Sequence, residues 1–321
     1  MHKGGGNRRY EVFVRATPTT ATMISGKAIS LVLLAASYPV LKPIIQDLIF
    51  LGSFFRKQRL STKSKKSQPC SSPIYVALGS SFAAGPGVGE FVVDSIGNAQ
   101  GTLAYPNQLS KKLGLNSSEY VNAASSGELL ARVDPYQTQF VKETTRLVTI
   151  SAGGNDVHYT RDTIAAAFRT QLRSKVVQVL FDFLLPLKPA SKRNYTGLAA
   201  SFDRVIRSIR TISPQVLIVL VSYITIMPAK GSIPPLSEPA TQTLRDVADQ
   251  LFTTTMEAAS RNNCIFVDMT TPSRDHYAGA ELPWSTGFDA LVPVHPNLAG
   301  HDACADDIYA TLLELGHVQS K

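Results

Sequence analysis

Four short stretches of the 321-residue chain carry groups suited to attack on a carbonyl carbon. Ser81 stands in Leu78-Gly79-Ser80-Ser81-Phe82-Ala83-Ala84-Gly85, directly after the apolar run Ile74-Tyr75-Val76-Ala77-Leu78. Gly127 closes Asn122-Ala123-Ala124-Ser125-Ser126-Gly127, Asn155 lies in Gly153-Gly154-Asn155-Asp156, and His295 in Val294-His295-Pro296-Asn297. A serine hydroxyl is a weak nucleophile, so it needs a base to take its proton and donors to hold the oxyanion that its attack creates. Ser81 fits the nucleophile, because its small neighbours permit a tight bend and let a substrate reach the backbone. Gly127 offers an unobstructed N–H, Asn155 a side-chain amide and Ser81 its own N–H, which together make three donors. His295, in a loop before the last helical stretch, fits the base; His158 and His276 are its rivals, since His2 and His317 lie near the termini and His301 inside the last helix. Taken singly, each residue has a plainer reading: a glycine-rich turn over 79–89, a turn-forming asparagine, a structural histidine. A phosphate loop is a poor rival, because no Lys-Ser/Thr follows the glycines.

The elements that must position these residues follow from the apolar pattern. Strands are expected at Ile74–Leu78, Tyr120–Ala123, Leu147–Ala152, Val216–Ser222 and Cys264–Asp268, and helices at Tyr105–Leu113, Gly127–Val133, Thr160–Leu185, Leu198–Ile212, Pro239–Asn262 and Leu298–Leu315. Strands apolar along their whole length are buried on both faces, and helical crossovers between them give a mostly parallel sheet, hence a doubly wound α/β domain. In such a domain the ligand crevice lies beyond the carboxyl ends of the strands. Ser81, Gly127 and Asn155 each follow an expected strand by a few residues. The apolar segment Phe168–Pro189 is expected to pack on the core, with a lid or membrane-facing wall over the site as the sharper reading.

With His-Pro-Asn-x-x-Gly-His at 295–301, the four stretches resemble blocks I, II, III and V of the SGNH (GDSL-type) esterase and lipase family, over residues 74–318. The resemblance implies a flavodoxin-like three-layer α/β/α sandwich with a mostly parallel central sheet of about five strands. It also implies a Ser81 nucleophile, an oxyanion hole from Ser81, Gly127 and Asn155, and His295 as base, with no metal or organic cofactor. Two positions depart from the family pattern: its block I aspartate is Ser80, and the aspartate three residues before the histidine is Val292. An orienting carboxylate is worth about 10⁴ in turnover when its loss leaves the wrong tautomer. Two replacements offer themselves, the main-chain carbonyl of Val292 and the carboxylate of Asp289. The expected activity is hydrolysis of a carboxylic ester through an acyl-Ser81 intermediate; the alternatives are an inactive binding protein of the same fold and a glycan deacetylase.

The net charge of +8 is localised. Residues 1–73 hold 12 Lys/Arg and 2 Asp/Glu, leaving 20 basic and 22 acidic residues in the body, so a nucleic-acid surface is not expected. Residues 1–27 form a basic segment, 28–55 a hydrophobic signal-peptide or signal-anchor region, and 56–73 a Ser/Lys/Pro-rich linker. Membrane association through 28–55, with entry to the secretory route as an anchored or secreted protein, is the expectation; a mitochondrial presequence is the rival. The sequons at Asn116 and Asn194 agree with that route. Of three cysteines, Cys264 and Cys304 are the expected bridge, with Cys70 in the linker. No Cys-x-x-Cys or His-x-x-x-His spacing points to zinc.

Overall fold

The computed structural model describes residues 65–66, 72–93 and 99–319. The hydrophobic region 28–55 lies outside these residues, and among them no helix is long and apolar enough to cross a membrane.

Five strands form the central sheet: β1 (Tyr75–Gly79), β2 (Tyr120–Asn122), β3 (Leu147–Ser151), β4 (Leu217–Val221) and β5 (Ile265–Val267). All neighbours are parallel, in the order β2-β1-β3-β4-β5, with Gly79 opposite Ser151 at the carboxyl edge. Every residue of β1 and β3 is buried; Thr149, polar in the middle of β3, is paired with the Tyr75 hydroxyl at 2.9 Å. The strand order is the flavodoxin-like one, whose chain reverses direction between β1 and β3. A second, small sheet joins Lys65–Lys66, Phe91–Val93 and Ala99–Gly101.

Eight α-helices connect the described strands: α1 (Ser81–Ala84), α2 (Tyr105–Lys112), α3 (Leu130–Tyr136), α4 (Tyr159–Gln171), α5 (Lys175–Leu184), α6 (Tyr195–Ile212), α7 (Glu238–Arg261) and α8 (Leu298–Glu314). Right-handed crossovers put helices on opposite faces when the strand order changes direction. Accordingly α2 packs with α8, while α3, α6 and α7 pack side by side. Phe202, Ile206 and Ile209 of α6 and Leu244, Val247 and Leu251 of α7 cover one face; Leu109, Ile308 and Leu312 cover the other.

Three expectations are corrected. The stretch expected as one helix over Thr160–Leu185 is two, because Leu172 leaves the helix with extended backbone and the Ser174 side chain caps α5 by accepting the Val177 N–H at 3.4 Å. No residue of α5 is buried, so its apolar side chains do not join the core. The expected bridge is absent: Cys264 and Cys304 are both free thiols. Cys264 precedes β5 beside Arg210, whereas Cys304 lines a small cavity with Ser151, Ser222 and Met269 beyond the carboxyl ends of the strands. At roughly 3.3 Å per strand residue, the two ends of the sheet are too far apart for the ~7 Å limit on a bridged Cα pair.

The carboxyl end of β1 is where the fold is tightest. Gly79 has φ +139°, and a β-carbon there would stand 2.2 Å from the Ser151 carbonyl oxygen. Gln137, buried after α3, accepts the Gly79 N–H at 2.7 Å and donates to its carbonyl at 2.9 Å. Replacing Gln137 with Leu strands a buried N–H, for which a loss of about 2–3 kcal/mol in unfolding free energy is expected. Urea denaturation measures it, and an unchanged midpoint would show that Gln137 does not hold the turn.

Candidate active site

Ser81 opens α1 immediately after the extended Ser80 (φ −105°, ψ −155°), which lifts the hydroxyl off the strand end. Its Oγ lies 2.8 Å from His295 Nε2, across 214 residues of sequence. The other ring nitrogen, Nδ1, is 2.7 Å from the carbonyl oxygen of Pro293. A carbonyl can only accept, so Nδ1 carries the proton and Nε2 presents a lone pair to the serine hydroxyl. Burial pushes the His295 pKa below its ordinary value of 6.5, against a smaller upward pull from the Pro293 bond. The imidazole is therefore held neutral, the form a base must have.

The histidine reaches back two residues because Val294 adopts the left-handed region, with φ +53°. A β-branched residue resists that conformation, and the surroundings enforce it. Thr286 is the enforcer: its Oγ1 donates to the Val292 carbonyl at 2.6 Å, its N–H donates to the His295 carbonyl at 2.8 Å, and the His295 N–H reaches Thr286 Oγ1 at 3.2 Å. Asn297 adds a second clamp, donating to the Pro283 carbonyl at 2.6 Å and capping α8 through the Gly300 N–H at 3.0 Å. Both proposed replacements for the orienting aspartate are thereby corrected. The Val292 carbonyl is engaged by Thr286, and Asp289 is exposed, while Nδ1 is given to Pro293.

The loops that carry Gly127 and Asn155 are tied to one another and, through Ser125, to the end of β1. Gly127 has φ +79°, which keeps it out of the expected helix, and no atom lies within 4 Å of where a β-carbon would be. The face above it is open. Asn155 spends one amide hydrogen on the Glu128 carbonyl at 2.9 Å, which leaves the other for a ligand. Asp156 accepts the Leu130 N–H at the start of α3 at 2.9 Å, tying the Asn155 loop to the Gly127 loop; burial raises its pKa against the bonds from Leu130 and Ala131. His158 caps α4 with φ +58°, and His276 stacks on Trp284 at 4.4 Å. The hydrogen bond to Ser81 is made by His295.

Tyr223 is the residue that sequence reasoning missed. Its hydroxyl bonds Ser80 Oγ at 2.8 Å and accepts the Gly154 N–H at 3.3 Å, while its ring stacks on Phe82 at 3.9 Å. It thus links the serine turn, through Ser80, to the Asn155 loop. The signal was its place two residues beyond β4, at the carboxyl edge. Gln100 was missed for want of a pattern; it donates to the Asn122 and Ala124 carbonyls at 2.5 and 3.0 Å and steadies the chain leading to Gly127.

Residues 77–303 match the model of the GDSL-like Lipase/Acylhydrolase family. The chain is 25% identical to Lipase 1 of Streptomyces coelicolor over 240 residues, 74% of this chain and 85% of that one. It is 26% identical to a lipase of Streptomyces rimosus over 213 residues, 65% and 75% respectively. In structure it is similar to the extracellular lipase from Streptomyces rimosus (TM-score 0.59, 23% identity, 74% of this chain, 98% of that one) and to phospholipase A1 from Streptomyces albidoflavus NA297 (0.59, 20%, 75% and 99%).

His301 supplies a pH signature of this end of the fold. Its Nδ1 accepts the Tyr105 N–H at 3.1 Å, and burial, with His295 nearby, pushes its pKa down to about 3. Below pH 6.5 the unfolded chain takes up a proton that the folded histidine refuses until about pH 3. Its contribution is whole above 6.5 and lost as the pH falls, by on the order of 3–5 kcal/mol. Urea unfolding across that window should show His301→Gln with a pH slope lower by about 1.4 kcal/mol per pH unit than wild type; equal slopes would refute a neutral buried His301.

Proposed function

The chain belongs to the GDSL-like lipase/acylhydrolase family and is a carboxylic ester hydrolase, and from that premise we propose how its residues carry the reaction. Ser81 Oγ attacks the ester carbonyl as His295 Nε2 removes its proton. The oxyanion that forms is held by the N–H groups of Ser81 and Gly127 and the free amide hydrogen of Asn155. Collapse expels the alcohol, protonated by the imidazolium, and leaves acyl-Ser81. Water, deprotonated by His295, then attacks the acyl carbonyl and releases the carboxylic acid. The 2.8 Å contact between Ser81 Oγ and His295 Nε2, with Nδ1–H bound to Pro293, is the observation that carries this reading. Pro293 does the orienting work of an aspartate without its charge, so it fixes the tautomer but offers the imidazolium only a dipole.

The proposed setting is the secretory route. Asn116 and Asn194 are both exposed, as glycosylation would need, and one similar enzyme is an extracellular lipase.

A fluorophosphonate should label the wild type at Ser81 and leave Ser81→Ala unlabelled; a folded wild type that takes no label ends the hydrolase mechanism and favours an inactive binding protein. On a short aryl ester, Asn155→Ala should lower kcat about 100- to 1000-fold, the loss typical of one oxyanion donor. Asp289→Asn should keep turnover within about twofold of wild type, since a rim carboxylate makes no transition-state contact. Because His295 is held neutral by burial, the acid limb of kcat/KM should have its midpoint below pH 6.5. A midpoint above 6.5 would indicate a carboxylate partner after all.

A further inference from the structure

α5 is apolar on both sides: Val177 and Phe181 are half-buried toward the protein, Phe181 beside Ala165 and Ala166 of α4, and a second apolar stripe faces outward. Val176, Val179, Leu180, Phe183 and Leu184 repeat at helical spacing, and all five are exposed, Phe183 at 81%. Toward the protein, Gln178 donates to the Leu172 carbonyl at 2.6 Å, and Asp182 forms a forked ion pair with Arg169 of α4, one arm at 2.8 Å. A helix on the surface of a protein in water turns its apolar stripe inward. Here Val177 and Phe181 already occupy the inward side, and the second stripe is left facing out.

Charge selects what covers it. Between Leu172 and Lys192 there are four Lys/Arg and one Asp, the Asp182 that Arg169 already engages, although the body as a whole is slightly acidic; the next cation, Arg193, has a buried side chain paired with Asp162. Lys175 precedes the stripe and Lys188 and Lys192 follow it, all exposed. A second copy would set this cationic border against itself, and the chain's own first 73 residues, with 12 Lys/Arg and 2 Asp/Glu, would do the same. An apolar stripe bordered by cations suits a helix lying in the headgroup plane of an anionic lipid surface. The segment that follows α5 is tied to the chain just beyond Asn155. The Arg193 guanidinium binds the Lys188 carbonyl at 2.6 Å and that of Val157, two residues beyond Asn155. Leu282 and Leu291, in the loops that hold His295, are exposed as well.

We infer that α5 is an interfacial helix that seats the protein on negatively charged lipid and presents lipid-packed esters to Ser81; the second half of this rests on the function proposed above. The seating is tested in the full chain with Phe183→Trp and vesicles of phosphatidylcholine containing brominated phosphatidylglycerol. The native Trp284, alone in the wild type, supplies the baseline. The added tryptophan should shift to the blue and lose roughly half of its emission on these vesicles and little on vesicles in which the bromine is carried by phosphatidylcholine and phosphatidylglycerol is left out. No quenching overturns the proposal. So does emission that is already blue before lipid is added, which means a second copy if the mass is doubled and the N-terminal segment if it is not. For delivery, Phe183→Ser with Leu180→Ser should cut hydrolysis of esters packed in those vesicles about tenfold while leaving kcat/KM on a water-soluble acetyl ester within about twofold. Equal losses on both substrates, or none on vesicles, overturn delivery. If the phosphonate fails to label Ser81, the hydrolytic reading falls while quenching still decides the seating.

Discussion

With φ +139° and a carbonyl oxygen 2.2 Å from where its β-carbon would stand, Gly79 lets β1 and β3 stay paired to their last residues while the chain turns off the sheet. No other side chain fits there. From this contact the rest of the site follows. The Ser80 N–H bonds the Ser151 carbonyl at 3.0 Å, the Ser125 N–H bonds the Gly79 carbonyl at 3.1 Å, and Gln137 closes both sides of the same peptide. The segments leading to Ser81 and Gly127 and the end of α3 are thus pinned to one backbone position before any substrate enters.

The His295 loop shows how a dipole takes the place of a charge. A carboxylate behind an imidazole both selects the tautomer and stabilises the cation; a carbonyl does the first well and the second weakly. The arrangement needs Val294 in the left-handed region, a strain of about 1–3 kcal/mol that the Thr286 and Asn297 bonds sustain. In return the histidine's hydrogen-bond partner carries no charge and no proton of its own to lose.

The strands were legible because β1 and β4 are apolar throughout and β3 nearly so, and only a sheet covered on both faces buries such runs. Ser81, Gly127, Asn155 and His295 stood out because small or polar residues follow those strands or precede the last helix. The partner of the histidine was not legible, since a single backbone angle at Val294 decides between the carbonyls of Val292 and Pro293. Tyr223 and Gln137 act across 143 and 58 residues, and neither separation has a local pattern. In α5, periodicity revealed an apolar face but not which way it points. The cysteines misled because closeness in sequence says nothing about which end of a sheet a residue occupies.

The bond between Ser81 and His295 joins the first strand of the fold to the cap of its last helix. A chain emerging from its amino end can complete β1 and the Gly79 turn early, yet the base proposed for it, His295, is not in place until α8 has been made and docked. Nascent and carboxyl-truncated chains would therefore carry the serine without the means to activate it. Synthesis order itself acts as a safeguard, since hydrolytic competence arrives last, with the residues that close the domain.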